Sequence, residues 1–94
     1  MAFGALVKSV QQGTGTASIN TNGSVSLTAT QITTAVVQAK SQFRAWACNG
    51  SADGLSVDAA AGVLTGTQTA TIYIGISQAA TVDIRYTWEL TEFY

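Results

Sequence analysis

Acidic side chains are the first place to look for chemistry in this sequence. Asp83, Glu89 and Glu92 stand close together towards its end. Two carboxylates flanking a cleft are what glycoside hydrolysis requires. Polar and apolar residues alternate around them, so a solvated strand face is the simpler expectation. A second acidic pair, Asp53 and Asp58, shares a Gly-containing stretch with Asn49. These oxygens could surround Ca²⁺, but the spacing is not that of an EF-hand and no Glu closes the loop. Turn chemistry is expected there, without a metal. The chain contains no His, which removes the usual base of a hydrolytic triad. Cys48 is the single cysteine, so neither an intrachain disulfide nor a zinc site can form from it alone. It ends an apolar run from Phe43 and reads as a buried thiol. Gly13-Thr14-Gly15 is too short for a phosphate-binding loop. Asn22-Gly23-Ser24 and Asn49-Gly50-Ser51 match the glycosylation pattern. No signal peptide is read upstream, so both are discounted. The expectation is a protein that is not an enzyme, with no cofactor and no metal.

Recognition is what remains. The candidates for an interface or a ligand contact are Arg44, Trp46, Asn49, Asp53, Tyr73, Arg85 and Trp88. Core or interface packing is the ordinary use of the large rings, and stacking on a sugar is the alternative. Charge narrows the partners. The 94 residues include four Lys or Arg and five Asp or Glu, a net charge of −1. Nucleic acid is excluded for want of a basic patch, and an anionic membrane surface for the same reason. No apolar run is long enough to span a bilayer as a helix. Charged residues make up 10% of the chain, against about 25% in ordinary globular proteins. A surface so poor in charge is either covered by Thr, Ser, Gln and Ala or hidden against neighbours. Assembly with other subunits is the sharper expectation.

Positioning these residues requires strands. The length fits one domain, residues 1–94. Pro is absent, Thr, Val and Ile are frequent, and turn signals recur along the chain, the rhythm of a sandwich or barrel. The fold class is therefore all-β, a small antiparallel β-sandwich of about six to eight short strands. Ala5–Val10 is the first expected strand, with a turn at Gly13 and Gly15. Thr16–Asn20 and Ser24–Thr30 flank Asn20-Thr21-Asn22-Gly23, which predicts a tight hairpin. A polar bend follows Gln31, then a strand from Thr34. Gln42–Cys48 is apolar on both faces, which suits a central strand or one whose outer face meets another subunit. Leu55 and Val57 suggest a short strand, and Asp58-Ala59-Ala60-Ala61-Gly62 a loop or one helical turn. In Thr67–Gly75, Ala70, Ile72 and Ile74 point inward and Thr69, Thr71 and Tyr73 outward. Thr81–Tyr94 has the strongest period: Val82, Ile84, Tyr86, Trp88 and Leu90 on one face, Asp83, Arg85, Thr87, Glu89 and Thr91 on the other. Ion pairs from Asp83, Arg85 and Glu89 to neighbouring strands are expected on the polar face.

Leu6-Val7-Lys8-Ser9-Val10-Gln11-Gln12-Gly13 resembles the "IKSIQRG" opening of small phage virion and tail-associated modules, with Gln12 where that family has Arg. The stretch from Val82 to Phe93 is similar to the "VxWxVxEF" strand that ends such modules. The resemblance implies a structural protein of a phage particle, located in the virion: a capsid decoration, spike or tail-associated subunit. Packing about a three-fold axis would suit the low charge and aromatic strand faces, so a homotrimer contacting other virion proteins is expected. The pattern is also loosely similar to H-type lectin domains, which are trimeric antiparallel sandwiches. That likeness implies the alternative, a receptor- or glycan-binding module for host attachment in a tail fibre.

Overall fold

A computed structural model describes residues 6–20, 22–49, 57–76 and 81–94. Six strands account for most of them: β1 (Val7–Asn20), β2 (Asn22–Leu27), β3 (Ser41–Asn49), β4 (Val57–Leu64), β5 (Ala70–Ile76) and β6 (Thr81–Phe93). They form two three-stranded antiparallel sheets, ordered β1-β6-β3 and β2-β5-β4. The all-β sandwich expected from the sequence is the fold of the chain. No helix among the described residues is long and apolar enough to cross a membrane.

The period of β6 explains why it is central. Ile84, Tyr86, Trp88 and Leu90 are all buried, while Asp83, Arg85 and Thr87 are exposed. Its flanking strands are built to receive those large side chains. Trp88 stands in register between Gly13 of β1 and Ala45 of β3, and Tyr86 between Gly15 and Ala47. A Cβ on Gly13 would come within 2.6 Å of the Trp88 indole nitrogen. The two glycines are therefore gaps for rings and not turns. β1 runs through them as one strand of 14 residues, where two strands and a turn were expected.

The second sheet follows the same logic. Leu27, Ala70, Ile72 and Ile74 are buried, with Val25 and Leu64 packed beside them. Gly62 supplies the notch between the sheets: a Cβ there would lie 2.6 Å from the Phe43 ring and 3.3 Å from Ala45. Phe43 in turn stacks on Trp88, with ring centroids 6.1 Å apart and planes 16° from parallel. The opposite side closes where Ile19 meets Gly23. Fully burying an aliphatic side chain of this kind contributes about 1.5–3 kcal/mol.

Four other expectations are corrected. Asn20–Gly23 does not turn a hairpin, because β1 pairs with β6 and β2 with β5; the chain crosses between sheets there. Thr34 starts no strand. Residues 28–37 form a loop, followed by a single turn of 3₁₀ helix, Gln38–Lys40. Ile32 and Val36 plug this loop into the core. Their spacing of four drops two apolar groups from a looped backbone without a strand. The stretch Asp58–Gly62 is neither loop nor helical turn but part of β4, since pairing with β5 satisfies its backbone and Gly62 leaves room for the Phe43 ring. Finally, β3 is an edge strand and not a central one. Its mixed character arises because Phe43, Ala45 and Ala47 face the core while Trp46 stands on the outer face.

Candidate interaction surfaces

The outer face of the β1-β6-β3 sheet is where most of the candidates lie. Alternation puts Arg44 and Trp46 of β3, Arg85 and Glu89 of β6, and Gln12, Thr14 and Thr16 of β1 on one side. Their register forms rows: Gln12–Glu89–Arg44, then Thr14–Thr87–Trp46. Arg44 does not reach across to Glu89 in an ion pair. Its guanidinium lies 5.4 Å from the centroid of the exposed Trp46 ring, a cation–π contact between residues two apart on one strand face. Asp83 accepts a hydrogen bond from Ser18 Oγ at 2.6 Å. The expected ladder of ion pairs is thus replaced by hydroxyl and ring contacts. Among the described residues the one ion pair joins Lys8 and Glu92, at 4.0 Å.

Tyr73 is exposed on the other side of the molecule, on the outer face of β2-β5-β4. Its neighbours in register are Ser24 and Ala61, with Ser26, Thr71 and Val63 in the next row. None of these six carries a charge. Trp88 belongs with neither surface. It is 2% exposed, so it is a core residue and not a contact for a partner or ligand. Asn49 ends β3, its backbone opposite Ile84; its side chain and Asp53 lie outside the described side chains, as does the Ca²⁺ question they raised. The Cys48 thiol also lies outside them.

The three carboxylates do not converge. Asp83 and Glu89 share the outer face six residues apart, about 20 Å along an extended strand, whereas glycosidase pairs stand roughly 5–10 Å apart. Glu92 points the opposite way, into the core, at 4% exposure. It accepts hydrogen bonds from the Val37 backbone N–H at 2.9 Å and from Ser9 Oγ at 3.5 Å. Its task is to tether the 28–37 loop. Gln11 does the same beside it, donating to the Thr34 carbonyl at 2.9 Å and accepting from the Thr34 N–H at 3.2 Å. Sequence reasoning grouped Glu92 with the polar residues, although its even number puts it on the apolar face of β6. It also passed over exposed Val10, Val63, Phe93 and Tyr94, which only tertiary exposure distinguishes from core residues.

No pocket opens among the described residues, and no cluster of His, Cys, Asp or Glu among them could hold a metal ion. The arrangement offers the outer faces of two sheets and their outermost strands. Neither a family model, nor a curated protein, nor a solved structure matches the chain.

Proposed function

We propose that this chain is a structural subunit of a phage particle, a capsid decoration, spike or tail-associated protein, working through self-association and through contacts with other virion proteins rather than through chemistry. The observation that carries the reading is the distribution of charge. Among the described side chains, the outer face of β2-β5-β4 offers Ser24, Ser26, Ala61, Val63, Thr71 and Tyr73, with no ionisable group except the tyrosine hydroxyl. Isolated soluble domains ordinarily intersperse charges over such a face. The resemblance of Leu6–Gly13 and Val82–Phe93 to phage virion modules supplies the setting, and the separated carboxylates favour a non-enzymatic role. Mass spectrometry of purified particles tests the placement: the chain is expected among the virion proteins, and its absence from washed particles would sink the proposal. Native mass spectrometry of the isolated protein tests the self-association: an assembly of more than one copy is expected, and a stable monomer would remove it.

A second reading is favoured by Trp46. Its exposed ring, with Arg44 against it and Glu89 and Gln12 in the adjoining row, combines a stacking surface with hydrogen-bonding groups, as a glycan-binding module for host attachment would. Binding to a glycan array that is lost in Trp46→Ala would favour this reading, and a blank array would remove it.

A further inference from the structure

Antiparallel sheets leave their outermost strands with unpaired backbone groups, and folded proteins blunt such edges with charges, Pro, bulges or covering loops. β1 is an outermost strand and lacks most of these devices. It is 14 residues long, about 46 Å at 3.3 Å per residue, in a molecule whose longest dimension is 46 Å. It contains no Pro and one charge, Lys8, and its sole irregularity falls between Val7 and Ser9. From Ser9 to Asn20 every residue is in unbroken register with β6. Alternate residues of such a strand direct both N–H and C=O away from the partner, roughly half of the strand. Among the described residues, no backbone hydrogen bond outside the β1–β6 ladder and no side-chain hydrogen bond meets those groups.

The geometry points to a second copy of this chain as the partner of that edge: β1 pairs antiparallel with β1 of the other copy about a two-fold axis near Thr14, joining two three-stranded sheets into one of six. The composition of β1, uncharged but for Lys8, suits this occupant. With the axis at Thr14, Gln12 meets Thr16, Val10 meets Ser18 and Thr14 meets itself on the outer face, so no like charges oppose each other. An isologous contact needs one surface that complements itself, and β1 has that property along its length. The inference rests on the self-association proposed above and names its contact.

The test uses the whole chain. Light scattering with native mass spectrometry is expected to show a dimer or an even-numbered assembly. Amides of β1 should become protected from hydrogen exchange as concentration rises. Thr14 is exposed on the outer face, so Thr14→Lys and Thr14→Glu both leave the monomer fold intact by circular dichroism. Each alone should weaken the dimer at least about tenfold by setting like charges face to face, and an equimolar mixture of the two should restore it. A trimer, or a dimer indifferent to both variants, overturns the β1 contact but leaves self-association standing. A stable monomer at high concentration overturns both.

Discussion

Gly13 and Glu92 show how much a single side chain, or its absence, decides here. Gly13 accommodates the Trp88 ring beside it. Gly13→Ala would place a methyl group on the indole, and neither the buried ring nor a strand locked in register can withdraw freely. A loss of about 1–3 kcal/mol is expected, the usual cost of overpacking, read as a lower urea midpoint at unchanged slope. Gly-to-Ala in an open strand would instead be neutral or stabilising, so an unchanged midpoint would show that Trp88 does not need the gap. Glu92 poses the opposite case. Its Oε2 satisfies the Val37 N–H, and an orphaned buried donor costs about 1–3 kcal/mol. Glu92→Leu should show that loss in urea, whereas Glu92→Gln retains an acceptor and should recover most of it. Lys8→Ala should change little, because its ammonium is half exposed and 4.0 Å from the carboxylate.

At the scale of elements, β5 and β6 were legible in the sequence because period-two alternation is a direct consequence of strand geometry, and both are central strands whose faces differ sharply in polarity. Peripheral elements were less legible for a physical reason. In β1 the central rings Trp88 and Tyr86 overlie Gly13 and Gly15, so these glycines imitate turn signals, and in β4 the run Ala59-Ala60-Ala61 carries no alternation of polarity and imitates a helical turn. The 28–37 loop is ordered by partners remote in sequence: Gln11 at Thr34, Glu92 at Val37, and Gln68 donating to the Ile32 carbonyl at 3.1 Å. No local pattern announces those bonds. Of the candidate residues, alternation set Arg44 and Trp46 on the face opposite Phe43 and Ala45, but with apolar groups on both faces it did not say which one was covered; the burial of Trp88 agrees with its place on the apolar face of β6. The loop also carries a prediction. Gln11→Leu would remove both bonds to Thr34 without disturbing β1, so hydrogen exchange should rise in residues 28–37 while β5 and β6 keep their protection. Uniform loosening would show that the loop and sheets open together.

At the scale of the whole molecule, size and surface act in the same direction. A chain of 94 residues hides a smaller fraction of its surface than a large domain does, and its two sheets share one narrow core. Such a domain gains stability from any contact made only by the folded form. If folded chains associate as proposed, each tenfold rise in concentration adds about 1.4 kcal/mol per dimer, or about 0.7 kcal/mol per chain. A domain of this size shifts its melting temperature by about 4–8 °C per kcal/mol, so the midpoint should climb roughly 3–6 °C per tenfold increase. Differential scanning calorimetry over a hundredfold range resolves a change of that size. At equal concentration the midpoint of Thr14→Lys should lie lower by at least one such tenfold step if the β1 edge carries the contact, and match the unsubstituted protein if another face does. A melting temperature independent of concentration in the unsubstituted protein, together with a monomeric mass throughout, would mean that the sparse charge merely reflects a Thr- and Ser-covered surface, and that the open edge of β1 is left unfilled by its own kind.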